Sequence, residues 1–444
     1  MNSSMWSKAV KGAPVSLIIE IFKHRLFRGG VTYFFATIIG SAIPMLLLPV
    51  LTRYLTPMEY GTLAIFQVIV SLLVILIGID THAAVGVVYF QKSGNEIRSY
   101  IGNILLVIVA CFVMFLFIAV FFHRHIAQTL NIPPYLIFIS LFVAFFTAIT
   151  NVGLMMWQVT HNSKFYALYQ VSMSLFNALS SILLVVIFHM GLKGRIFGIS
   201  SAAIVFGFIS MYILFRNFRM NFKIKKEFIK DIFIFSLPLV PHEISGWIMS
   251  GTDKIFLNNF VGLKMTGIYS VGYQIGMILG LVTAAFNRAW GPYLFQALST
   301  ITYSKKIKIV KVTYLYFIVI LLLAFLLSMV SPIIIQILVN KNFQASNEFV
   351  IWIALGAAAM GMYYMVVNYL FFVKKTHILA LATFISALVN IGLNYSLIKM
   401  YGAMGAAKAN AISSFFTFFL VWLLSAKYYP MPWFSWSKIK SIGA

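Results

Sequence analysis

Apolar residues fill this chain in runs separated by short polar clusters. A run of about 20 such residues matches the ~30 Å hydrocarbon layer of a bilayer at 1.5 Å of helix rise per residue. The pattern predicts twelve membrane-spanning helices. The first six fall near 31–53, 60–90, 99–122, 134–158, 165–190 and 195–216, and the second six near 232–260, 265–297, 308–339, 348–373, 376–400 and 403–427. Several exceed the minimum span and are expected to tilt, kink or protrude, and the run at 308–339 is expected to break at Pro332. The fold class is therefore an all-α polytopic membrane protein.

Composition agrees with the pattern. Of 444 residues, 61% are hydrophobic and 9% charged, where a soluble domain carries about 25% charged residues. Mean hydropathy is +0.96. The formal charge of +24, from 33 Lys+Arg against 9 Asp+Glu, is read as a consequence of membrane topology and not of nucleic-acid binding, because the basic residues collect on alternate connections. They are densest at Lys8 to Arg28, Arg216 to Lys230, Lys305–Lys306 and Lys374–Lys375. By the positive-inside rule both termini face the cytoplasm. Residues 1–30 flank the short apolar stretch Val15–Phe22 with five cations. That stretch is too short to span and lacks a small-residue cleavage site, so it reads as an interfacial cytoplasmic segment.

The chain divides near its middle. Residues 31–216 form an N-terminal six-helix half, 217–231 a basic cytoplasmic linker, 232–427 a C-terminal six-helix half and 428–444 a cytoplasmic tail. An internal repeat supports the division. LTRYLTPMEYGTLAIF (51–66) aligns without gaps on LNNFVGLKMTGIYSVG (257–272), placing Gly61 on Gly267 at an offset of 206. GLKGRIFGIS (191–200) matches GAMGAAKANA (402–411), placing Gly191 and Gly194 on Gly402 and Gly405 at an offset of 211. An even number of spans per half makes the repeat parallel, with a pseudo-axis along the membrane normal and a central cavity between the halves.

Charges inside spans narrow the chemistry. Asp80, Glu243, Asp253, Lys254, Arg288 and Lys408 fall at membrane depth, where each costs about 2.5–3.5 kcal/mol if central. They are expected to pair or to face a wet cavity. Arg288, Lys254, Lys408 and Arg53 are candidates for an anionic head group, Arg through its forked donors and Lys as a point charge. Trp247 and Trp290 are candidates for stacking on sugar faces. Asp80, Glu243, Asp253 and His82 are candidates for ion coupling or gating, with Asp80 expected opposite Arg288 across the pseudo-axis. Pro238, Pro241, Gly246 and Gly251 are expected to kink the seventh span. For any one of these residues plain packing competes with function, and the in-span charges cancel.

Other chemistries lack their residues. There is no GxxxxGK[ST], HExxH, CxxC or GxSxG sequence, so no P-loop ATPase, zincin, dithiol or serine-elbow site is expected, and no cofactor. The single cysteine, Cys111, lies in an apolar run, and His123, Arg124 and His125 have no carboxylate beside them, so no metal site is expected. The three Asp residues form no DxD pair. A membrane enzyme acting on lipid-linked sugars through loop Arg and His stays open at this point.

LPVLTRYLTPMEYGTLAIF (48–66) resembles the first-loop signature of Wzx-type O-antigen and polysaccharide flippases, in the multidrug/oligosaccharidyl-lipid/polysaccharide exporter superfamily. GTDKIFLNNFVGLKMTGIYSVGYQIG (251–276), FNRAWGPYLFQ (286–296) and YGAMGAAKANAIS (401–413) are similar to later segments of the same family, and the likeness covers about residues 25–430. Lys254 stands where the family often has Arg. The resemblance implies a bacterial inner-membrane flippase, not an enzyme, that carries an undecaprenyl-diphosphate-linked oligosaccharide between leaflets by alternating access. It implies dependence on an ion gradient or on product consumption, with membrane lipids, a polysaccharide polymerase and a chain-length regulator as partners. Arg288 and Lys254 would meet the diphosphate or an acidic sugar, and Glu243, Asp253 or Asp80 would exchange protons. A cation-coupled drug exporter of the same superfamily is the alternative, disfavoured by the lack of an acid in residues 31–53.

Overall fold

The computed structural model describes residues 39–40, 43, 45–299 and 301–433. The interfacial segment at 1–30, most of the first expected span and the end of the tail lie outside them. Among the described residues eleven helices are long and apolar enough to cross a membrane, at the places expected for the second to twelfth spans. The N-terminal helices are α1 (Leu48–Tyr54), α2 (Pro57–Gly78), α3 (Thr81–Val88), α4 (Gly94–Thr129), α5 (Tyr135–Val159), α6 (Ser163–Ile182) and α7 (Gly191–Arg216). After them come α8 (Lys226–Ser236), α9 (Val240–Phe260), α10 (Leu263–Gly276), α11 (Ile278–Ser299), α12 (Tyr303–Leu338), α13 (Asn347–Phe372), α14 (Thr376–Tyr401) and α15 (Ala403–Tyr428).

Local chemistry sets the element ends. Helix α2 opens with a capping box: the Glu59 carboxylate accepts from the Thr56 amide at 2.9 Å, and the Glu59 amide donates to Thr56 Oγ1 at 3.3 Å. Pro57 at the first turn lacks only an amide hydrogen that has no partner there. The helix stops where Ile79 and Asp80 both adopt left-handed backbone, at φ 44° and 53°. This splits the expected span 60–90 into α2 and α3. A β-branched residue in that region is strained.

Two sequence expectations are corrected. Helix α12 runs unbroken from Tyr303 to Leu338 with Pro332 inside it. Pro332 cannot donate to the carbonyl of Ser328, and the Ser331 hydroxyl stands within donating distance of that carbonyl at 2.9 Å and of Asn347 Oδ1 at 2.6 Å. In the seventh span the prolines act only at the entry, where Leu237–Leu239 form a 3₁₀ turn, and α9 continues regularly through Gly246 and Gly251.

The two aligned segments meet each other. Helices α2 and α10 pack closely, so that a Cβ on Gly61 would collide with the Leu263 carbonyl and one on Gly267 with the Pro57 carbonyl. Pro57 and Leu263 are themselves related by the same offset of 206, so the contact is reciprocal about a local two-fold axis. Tyr60 reinforces it by donating to Gln274 Oε1 at 2.9 Å. The second match is structurally equivalent as well. Gly191, the first residue of α7, and Gly402, immediately before α15, take positive φ, at 53° and 58°. That region costs an L side chain roughly 1–2 kcal/mol.

The basic segment between α7 and α8 lies against α4. Asn103 Nδ2 donates to the Lys223 carbonyl at 2.9 Å, and the Lys225 amide donates to Asn103 Oδ1 at 3.1 Å. Ser99 and Tyr100 reach Asn221 and Asp231 at 2.8 and 2.9 Å. The cores are built around α5, packed on α2 and α7, and around α13, packed on α15, α12 and α11. Large apolar side chains such as Phe117, Phe121, Met329 and Leu423 point outward, as a lipid-facing surface requires.

Candidate functional site

Between α2 and α7 on one side and α9, α10, α11 and α13 on the other lies a cavity of about 590 Å³. Its walls mix apolar residues with Tyr60, Gln67, Ser71, Ser250, Ser270, Tyr273, Gln274 and Tyr364. Two cations line it, Arg195 from α7 and Lys254 from α9, and no carboxylate does among the described residues.

Arg195 is 4% exposed. One of its terminal nitrogens donates to Asn177 Oδ1 at 2.6 Å and to Ser181 Oγ at 2.5 Å, both on α6. Its Nε is buried without a hydrogen-bond partner. A buried guanidinium with an unused donor is costly unless an anion or water completes it. Sequence reasoning missed this residue because it placed the start of the sixth span at 195, as if the side chain sat at the interface. The helix in fact begins at Gly191 and carries Arg195 a full turn inside. The signal was present in GLKGRIFGIS, as a cation within a small-residue motif shared by the two halves.

Lys254 is held from three directions. Its Nζ donates to the Ser250 carbonyl at 2.9 Å, lies 3.3 Å from Asp253 Oδ1, and stands 3.8 Å above the Tyr273 ring. Asp253, 2% exposed, accepts from the Tyr269 hydroxyl at 2.6 Å. It lies behind the wall as the lysine's counter-ion.

Of the acidic and histidine candidates, the structure gathers Asp80, His82 and Glu243 and leaves Asp253 apart. Asp80 Oδ1 is 3.2 Å from His82 Nδ1. Both line a smaller cavity of about 160 Å³ with Thr81, Asn151 and Glu243 of α9. This cluster sits at the left-handed break between α2 and α3. No ion pair joins Asp80 to Arg288 in this conformation. Arg288 is exposed on α11 and lies close to Tyr364, a residue of the central wall.

The remaining candidates are placed elsewhere. Lys408 stacks over Tyr401 at 4.5 Å and Trp352 at 5.6 Å. Arg53 is exposed at the end of α1. Trp290 is buried beside Phe286, at 6.0 Å between ring centroids, in the core around α13. Trp247 donates from Nε1 to the Val68 carbonyl at 3.0 Å, joining α9 to α2 beside the central cavity.

Similarity to known proteins follows this architecture. Residues 26–298 match the family described as "Polysaccharide biosynthesis protein". A protein of the Lsg locus of Haemophilus influenzae is 24% identical over 385 residues, 83% of this chain and 90% of that protein. The capsular polysaccharide biosynthesis protein CapF of Staphylococcus aureus is 26% identical over 285 residues, 63% of this chain and 68% of CapF. In three dimensions the chain is similar to the lipid II flippase MurJ in an inward closed conformation. The TM-score is 0.71 at 15% identity, covering 93% of this chain and 90% of MurJ. An inward-facing multidrug resistance MATE family transporter of the MOP superfamily gives 0.66 at 15% identity, covering 91% and 96%. Residues 26–298 span more than half of the chain, and the chain therefore belongs to the polysaccharide biosynthesis protein family.

Proposed function

We propose that this protein moves an undecaprenyl-diphosphate-linked oligosaccharide repeat unit, of an O-antigen or related surface polysaccharide, from the cytoplasmic to the periplasmic leaflet of the bacterial inner membrane. The observation that carries the reading is the pair Arg195 and Lys254, one from each half, lining one cavity whose wall bears no carboxylate among the described residues. A diphosphate offers two anionic groups to two cations, and Arg contributes the directional donors that Lys lacks. The hydroxyls and amides of Ser71, Ser270, Gln67 and Gln274 beside them suit sugar hydroxyls.

The halves 31–216 and 232–427 would rock about the Gly61–Gly267 contact to give alternating access, with both termini cytoplasmic. Asp80, His82 and Glu243, clustered at a helix break, are the groups we assign to coupling with a proton gradient, and Arg288 would meet the cargo in the opposite conformation. The protein acts as a transporter and not as an enzyme. A polymerase and a chain-length regulator would receive its product.

The test is to deplete the protein in its host and locate the lipid-linked glycan by impermeant labelling of spheroplasts. Repeat units trapped on the cytoplasmic face, with surface polysaccharide lost, are expected. Repeat units reaching the outer face at the normal rate would overturn the reading. Changed susceptibility to cationic dyes in the same strain would then move drug export to the front.

A further inference from the structure

Beside the central cavity lies a second one of about 240 Å³, walled almost wholly by hydrocarbon. Leu73 of α2, Phe115, Ile118 and Ala119 of α4 and Trp247 of α9 are among its lining residues. Val68 belongs to both cavities. The one polar hydrogen that Trp247 could offer is already donated to the Val68 carbonyl at 3.0 Å, so the wall gives water little to bond. An apolar cavity of about 150 Å³ stays dry and takes up benzene, so by proportion this one has room for roughly two five-carbon units. Ile118 is 38% exposed, on the same helix as the outward-facing Phe117 and Phe121. The cavity therefore runs between Ile118, on the lipid-facing side of α4, and Val68, a residue of the central cavity's own wall.

Two cations beside a small hydrocarbon-walled space, with room for about ten carbons, select the occupant. A diacyl phospholipid brings two chains and one phosphate. A single-chain lipid ending in a diphosphate matches both counts. We propose that the apolar cavity seats the first isoprene units, those next to the diphosphate, of a polyprenyl carrier. This rests on the reading of the central cavity as the diphosphate site. It adds that the carrier is recognised by its hydrocarbon as well as by its charge, independently of the sugar.

The experiment uses the full chain in phosphatidylcholine nanodiscs and compares inorganic pyrophosphate with geranyl diphosphate, which adds two isoprene units, by calorimetry against protein-free discs. Geranyl diphosphate is expected to bind at least tenfold more tightly. Ala119→Phe, which fills the cavity, should reduce that gain to under twofold and leave pyrophosphate affinity unchanged. Leu73→Asn, which sets an amide into the cavity without adding bulk, should do the same and covers the case in which Ala119→Phe does not fold. Equal binding of the two probes to the unaltered protein, as when bilayer acyl chains keep the cavity filled, overturns the inference while the diphosphate site stands. A gain that survives both variants overturns it as well. Failure of pyrophosphate to bind at all overturns the diphosphate reading, and this inference with it.

Discussion

Gly61 and Gly267, 206 residues apart in the chain, face each other where α2 and α10 cross, each without room for a Cβ against the other helix's opening turn. The obstacle is backbone carbonyl in both cases, so it cannot rotate away as a side chain would. Gly61→Ala and Gly267→Ala should each destabilise the protein by about 1–3 kcal/mol, the usual cost of overpacking. Because the contact joins the halves, either change should also lower transport beyond its effect on stability. Chemical unfolding in micelles and transport in vesicles check the two effects separately.

Arg195→Gln should weaken pyrophosphate binding tenfold to a hundredfold, the equivalent of losing a charge-assisted hydrogen bond worth about 1.5–3 kcal/mol. Arg195→Lys should recover only part, because a point charge cannot hold Asn177 and Ser181 while also meeting the ligand. Calorimetry on the three proteins decides this. Equal affinities would remove Arg195 from the site.

Asp253→Asn leaves the buried Lys254 ammonium without its counter-ion, and should cost about 3–5 kcal/mol of stability. Adding Lys254→Gln should recover most of that loss without restoring ligand affinity. Tyr269→Phe should cost less, about 1.5–3 kcal/mol, because it removes one hydrogen bond to a charged group and leaves the ion pair. A double-mutant cycle on Asp253 and Lys254 measures the coupling.

Asp80→Asn and Glu243→Gln should leave pyrophosphate affinity within twofold of the unaltered protein, since neither residue lines the central cavity. Each should flatten the dependence of transport on an imposed pH gradient across proteoliposomes. A variant that responds to the gradient as the unaltered protein does would remove its residue from coupling.

The membrane spans were legible because hydrocarbon thickness imposes one length on every helix. The repeat was legible because close backbone approach tolerates only glycine at Gly61 and Gly267, which leaves a mark in the letters. Arg195 was not, because a shift of four residues in a helix start decides between an interfacial cation and a buried one. The break after Gly78 was equally hidden. No glycine or proline follows to announce two left-handed residues, and without the break the i, i+2 spacing of Asp80 and His82 does not suggest a pair. Lys408 and Trp290 lie among rings away from the central cavity. In a chain with 16% aromatic residues, a half-buried charge or a buried indole finds ring partners readily, so membrane depth alone does not mark a site.

Each cation of the central cavity is anchored to its own half. Arg195 is tied to Asn177 and Ser181 of α6, and Lys254 to Asp253 and the Ser250 carbonyl of α9. Neither is fastened across the seam. The distance between the two charges is therefore set by the angle between the bodies that carry them, as the gap of a pair of calipers is set by its hinge. Under the proposed rocking of the halves, an anion short enough to touch both tips would be gripped at one opening and held by a single tip at any wider one, so the motion that exposes the cavity would also set how tightly its contents are held.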